Sequence, residues 1–103
     1  MANTFKRYKT ANIGTSTNTV YTVPALTTGV LLGIHLTNRS TTTSIDATIT
    51  AAGVYLLRAA PIPVGSALSA LDGKIILEAG DTVVVNSDTA SSLDVIISVM
   101  EQT

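Results

Sequence analysis

His35 is the only histidine in 103 residues, and cysteine is absent. Thiolate nucleophiles, disulfides and Cys-ligated metals are therefore excluded, and a site built on His35 would have to recruit carboxylates. The available acids are Asp46, Asp72, Glu78, Asp81, Asp88, Asp94 and Glu101. Four of them sit at turns or strand starts, where Asp bonds to nearby backbone rather than to a substrate. Paired acids for glycoside hydrolysis would also want aromatic platforms, and Phe5, Tyr8, Tyr21 and Tyr55 are the only aromatic residues. Neither acid/base nor nucleophilic catalysis is expected. His35 lies on the strand face opposite Ile34 and Leu36, and its expected role is to bond a hydroxyl or face a neighbouring subunit. The glycines show neither GxGxxG nor P-loop spacing, so no nucleotide, other cofactor or small-molecule substrate is expected.

One further cluster has chemical character. Phe5-Lys6-Arg7-Tyr8-Lys9 interleaves aromatic and basic side chains, a pattern that could stack on and neutralise a single nucleic-acid strand. Three charges fall short of a basic surface, and the whole chain carries a net charge of −1. The expectation is an N-terminal arm docking on an acidic neighbour, with no nucleic-acid partner. Asn38-Arg39-Ser40 matches a glycosylation acceptor by chance, since no secretion signal accompanies it.

The elements that must position these residues are strands. Thr occurs seventeen times and Ser nine, and with Val and Ile they make the chain rich in β-branched residues that fit a pleated sheet. Apolar residues alternate at Val30, Leu32, Ile34 and Leu36, at Ile45, Ala47 and Ile49, at Val83 and Val85, and from Leu93 to Val99. Leu31 makes the second face of its strand apolar as well. Turn chemistry separates the runs: Val23-Pro24-Ala25, Ala52-Gly53, Pro61-Ile62-Pro63, Ala79-Gly80-Asp81, and Asp72-Gly73, which favours a tight hairpin. About eight strands are expected, with no helix. The fold class is all-β: an antiparallel two-sheet sandwich, jelly-roll or Greek-key-like, over residues 19–103, with an extended arm over residues 1–18.

Composition sets the remaining constraint. Only 13% of residues are charged while 46% are hydrophobic, and mean hydropathy is +0.43. Yet the longest apolar run, from Val30 to Ile34, is far below the roughly 20 residues of a spanning helix, so no membrane partner is expected. The basic start lacks an apolar stretch after it, so no signal peptide is expected and the chain is expected to be made in the cytoplasm of its host. Charge is segregated: four basic residues and no acid up to Ser44, then two basic and seven acidic residues. A sandwich this small has more apolar surface than it can cover, which predicts a homo-oligomer, taken as a trimer, with Leu31 and His35 at the interface.

Thr19-Val20-Tyr21-Thr22-Val23-Pro24-Ala25, Val30 to Asn38, Ala60-Pro61-Ile62-Pro63-Val64-Gly65, Ile76-Leu77-Glu78-Ala79-Gly80-Asp81-Thr82 and Ser92 to Glu101 together resemble a family of small all-β virion proteins of tailed bacteriophages. The resemblance covers nearly the whole chain after Ala11, and its motifs are turns and strands. It implies a non-enzymatic particle component located in the virion. The leading expectation is a capsid decoration or cement protein that binds the major capsid protein, its arm residues Phe5, Lys6, Arg7, Tyr8 and Lys9 clamping capsomers. A neck or tail component such as a collar, fibre base or adaptor is the alternative, and a receptor- or glycan-binding module a third reading.

Overall fold

The computed structural model describes residues 3–70 and 73–103, and every regular element in them is a strand. In chain order these are β1 (Asn3–Ile13), β2 (Asn18–Thr22), β3 (Thr28–Asn38), β4 (Ile45–Ala51), β5 (Val54–Ile62), β6 (Ala67–Ser69), β7 (Ile75–Leu77), β8 (Thr82–Ser87) and β9 (Leu93–Gln102). One sheet has the order β1-β9-β3, with β6 and β7 both paired to the far side of β3; the other has the order β2-β8-β4-β5. All pairings are antiparallel. If β6 and β7 count as one interrupted strand, this is the eight-strand wiring of a jelly roll.

The alternating runs build the core as expected. Ile45, Ala47 and Ile49, Val83 and Val85, and Leu93, Val95, Ile97 and Val99 are all buried between the sheets. β3 departs from simple alternation. Its register with β9 shifts between Leu31 and Gly33, so an extra residue is inserted and the side chains before it change face. Leu31, Ile34 and Leu36 therefore all point inward and are at most 1% exposed. Leu31, expected at a subunit interface, is a core residue of the single chain. Val30 and Leu32, expected on the same face as Ile34, are instead half-buried.

The hairpin expected around Asp72-Gly73 also takes another form. Leu71 and Asp72 lie outside the described residues, but the flanking strands each pair with β3: β6 against His35 to Thr37 and β7 against Gly29 to Leu31. They lie end to end along one edge. β5 forms an edge of the second sheet, and its two register shifts, the positive φ of Ala59 and Pro61 interrupt it in ways typical of edge strands.

Residues 3–13, read from sequence as part of an arm, are laid down as β1, an edge strand paired with β9 from Asn3↔Gln102 to Ile13↔Leu93. The physical reason is the alternation that basic residues masked: Lys6, Tyr8 and Thr10 pair with the inward-facing Val99, Ile97 and Val95, whereas Phe5, Arg7 and Lys9 pair with the outward-facing Met100, Ser98 and Ile96.

Candidate functional site

Because side chains alternate across β1, the Phe5 to Lys9 cluster does not act as one anchor. It is divided between three different environments.

Lys6 and Tyr8 turn toward the mouth of the sandwich, where they meet Glu101. This carboxylate is 4% exposed and is satisfied from three sides. Lys6 Nζ lies 3.0 Å from Oε1. The Tyr21 hydroxyl donates to Oε2 at 2.7 Å, and the Tyr8 hydroxyl donates to the same oxygen at 3.5 Å. The Tyr8 and Tyr21 rings pack with centroids 4.7 Å apart, so the cluster ties β1 and β9 of one sheet to β2 of the other. Burial pushes the Glu101 carboxyl upward, but the hydrogen bonds from Tyr21 and Lys6 outweigh it and hold the group below the ordinary carboxylate value. The Lys6 ammonium is raised by its hydrogen bond to Glu101, and burial together with the same carboxylate raises the Tyr21 phenol. Gly29 makes room for this arrangement: a β-carbon there would stand 3.1 Å from the Tyr21 hydroxyl and 3.1 Å from Val23 Cγ2. The acidic neighbour expected for the basic segment is thus supplied, for Lys6, by the same chain.

Lys9 and His35 face outward on either side of Ile96, in the cross-strand row Lys9, Ile96, His35, Ser69. They line an open cleft of about 400 Å³ whose walls also include Thr37 and Asp94. The shift in β1 register after Thr10 shapes one side of it, with Asn12 at φ 60° donating its backbone N–H to Asp94 Oδ1 at 3.0 Å. Asp94 Oδ2 lies 3.5 Å from Arg39 Nε. With the Asp94 carboxylate already engaged, Lys9 and His35 are the groups left to receive a ligand, and an acidic group seated on the Ile96 side chain is what they could hold. His35 has no side-chain hydrogen-bond partner among the described residues, so nothing there orients it as a general base. No group of three or more His, Asp or Glu that could hold a metal comes together among the described residues.

Phe5 belongs to the third environment, the outer face of the first sheet. Phe5, Met100, Val30 and Ile76 form one cross-strand row, and its two ends, Phe5 and Ile76, are 72% and 71% exposed. Arg7, in the next row, is exposed beside Ser98. The outer face of the second sheet presents Asp46, Thr48, Thr50, Thr82 and Val84, all half-buried, and at its β5 edge Tyr55, in register with Thr50 and 54% exposed.

Of the residues singled out from sequence, the structure brings Lys6 and Tyr8 together at Glu101, brings Lys9 and His35 together in the cleft, leaves Phe5 and Arg7 on an open face, and buries Leu31. Sequence reasoning missed two sites. Glu101 was readable only as the inward member of an alternation ending in an acid, a signal that becomes specific once Tyr21 is known to lie opposite. Asn38 is 2% exposed, and its side-chain amide donates to the carbonyls of Thr43, Ile62 and Pro63 at 3.0, 3.0 and 3.2 Å. It fastens the end of β3 to the crossing between sheets and is not free to accept a glycan.

No protein-family model matches the chain, and no curated protein is significantly similar to it. Among solved structures, the chain is similar to one described as "Bacillus endospore appendages form a novel family of disulfide-linked pili", with a TM-score of 0.51 and 14% identity over 100% of this chain and 91% of that one. At this identity the likeness shows the fold. The disulfide linkage named there has no counterpart here, because this chain has no cysteine.

Proposed function

We propose that this chain is a non-enzymatic structural subunit that works by assembling with copies of itself, and that its setting is a bacteriophage virion, where it decorates the head as a cement protein. The observation that bears most weight is the outer face of the first sheet. A domain of 10.6 kDa leaves Phe5 and Ile76 more than two-thirds exposed in one row, although burying a side chain of this kind is worth about 1.5–3 kcal/mol. The two residues stand at opposite edges of the sheet, where contact with another copy would bury them. A fold shared with a pilus component supports assembly, and the resemblance of the chain to small virion proteins supports the setting. With β1 tied down at Glu101, clamping of capsomers falls to the faces and edges of the sandwich rather than to a loose arm, and a trimer multiplies weak contacts through effective concentration.

Light scattering of the purified chain and its binding to particles lacking it test this reading together. The expected result is an oligomer that binds particles saturably at lattice stoichiometry. A 10.6 kDa monomer with no affinity for particles would overturn it, and a copy number of six or twelve would place the protein at the neck or tail instead. The Lys9–His35 cleft keeps a second reading, recognition of an acidic glycan, open to test on a glycan array.

A further inference from the structure

We propose that copies of this chain join edge to edge through the first sheet, β1 of one copy adding to the β6–β7 edge of the next. This rests on the self-assembly reading above and says which surfaces carry it.

Three observations point to the same junction. β1 is the longest edge strand of the molecule. Its pairing with β9 is regular from Asn3 to Thr10, that stretch contains no proline, and among the described residues no strand pairs with its other side. Such an edge presents a row of backbone donors and acceptors to any strand that can reach it. The interruptions that blunt β5, two register shifts and Pro61, are missing from this part of β1.

Direction then selects the partner. β1, β9, β3 and the β6–β7 edge alternate in direction, so the two outer edges of this sheet run opposite to each other. A second copy shifted sideways in the same orientation therefore brings its β1 antiparallel to β6 and β7, continuing the sheet without reversing it. Pairing β1 with β1 is also antiparallel when the copies are related by a two-fold, but a two-fold near the middle of the basic stretch sets basic residues against each other, Arg7 against Arg7 or Lys6 against Lys9 according to register, and like charges directly opposite are destabilising.

Spacing agrees with direction. Phe5 and Ile76 terminate one outer row, and Lys9 and Ser69 terminate another. Along β1 the two rows are separated by the regular Phe5 to Lys9 interval. The β6–β7 edge has the same two rows at its opposite end because both of its pieces pair with β3. Setting Phe5 of one copy beside Ile76 of the next thus also sets Lys9 beside Ser69, and the apolar row Phe5, Met100, Val30, Ile76 runs on from copy to copy. The interface is heterologous, so it closes a ring if each step rotates suitably and otherwise extends as a filament.

The absence of cysteine makes a direct test possible. Chains carrying Phe5→Cys alone and Ile76→Cys alone are prepared, mixed and mildly oxidised, and the products are resolved without reductant. Both positions are exposed, so the substitutions are expected to leave the fold intact, checked by circular dichroism. The expected product is a disulfide dimer containing one chain of each kind, with loss of that product when either chain is oxidised alone. A Phe5→Cys chain that cross-links to itself would replace this junction with the two-fold one. Wild-type protein that assembles by light scattering while the mixture yields no mixed dimer would overturn the edge junction and leave self-assembly standing. Wild-type protein that stays monomeric would overturn both.

Discussion

Replacing Tyr21 with Phe removes one atom from the Glu101 cluster, and its cost can be worked from the geometry. Tyr21 is 3% exposed and Glu101 is 4% exposed, and the bond between them is 2.7 Å long. Without it, Oε2 keeps only the 3.5 Å contact to Tyr8, while Lys6 stays on Oε1. A hydrogen bond to a charged group contributes about 1.5–3 kcal/mol. At about 4–8 °C per kcal/mol for a domain of this size, the melting temperature should fall by about 6–24 °C. The loss should depend on pH. The Glu101 carboxyl is held below its ordinary value in the folded protein, so its contribution is fully present above the ordinary carboxylate pKa and disappears as pH falls through the lower, folded value. Tyr21→Phe removes one cause of that lowering and leaves burial pushing the group up. The gap between wild type and variant should therefore be widest near neutrality and should shrink in acid, where a protonated carboxyl offers only an ordinary hydrogen bond. Urea unfolding at neutral and acid pH, with Lys6→Met as a control expected to lose less and to be sensitive to salt, measures this directly. A gap below about 0.5 kcal/mol at neutrality, or one equally large in acid, would refute the assignment of Glu101 as a charged tie between the sheets.

Other outcomes follow from the same packing. Leu31→Lys should abolish folding rather than release folded monomers, because it places an unpaired ammonium in the core; about 4 kcal/mol or more is expected, read by circular dichroism. Asn38→Ala leaves the carbonyls of Ile62 and Pro63 without their side-chain donor and should cost about 1–3 kcal/mol in denaturant unfolding. Gly29→Ala should push the Tyr21 hydroxyl away from Glu101 by a few tenths of an ångström, costing about 1–3 kcal/mol, and combined with Tyr21→Phe its cost should be less than additive. Asp88 accepts the Asp46 backbone N–H at 3.0 Å, and this bond holds its carboxyl below the ordinary value; Asp88→Asn should therefore destabilise near neutrality and lose that effect in acid, as followed by thermal melts at both pH values.

The inward pattern of most strands was legible in the sequence, because alternation is a local property and β-branched residues disfavour helix. Ile45 to Ile49 and Leu93 to Val99 needed no tertiary information. Two kinds of feature were not legible. A bulge inserts one residue into a ladder, and whether Leu31 or Leu32 takes the inward place depends on where β9 holds its register, which no local window records. The basic residues of β1 read as an arm because charge hides alternation, and only the inward-facing register partners Val99 and Ile97 show why Lys6 and Tyr8 turn one way while Phe5, Arg7 and Lys9 turn the other.

By itself, the sequence determined an all-β sandwich without cysteine chemistry, short of charge, whose apolar residues outnumber the places one small core can give them. Composition and period suffice for that, since both act residue by residue. The tertiary structure decided where the surplus lies. It sent Leu31 inward, tied Lys6 to Glu101, set Lys9 and His35 across Ile96, and left Phe5 and Ile76 at opposite ends of one row. Those outcomes depend on strand order and register, which arise from pairings between residues far apart in the chain.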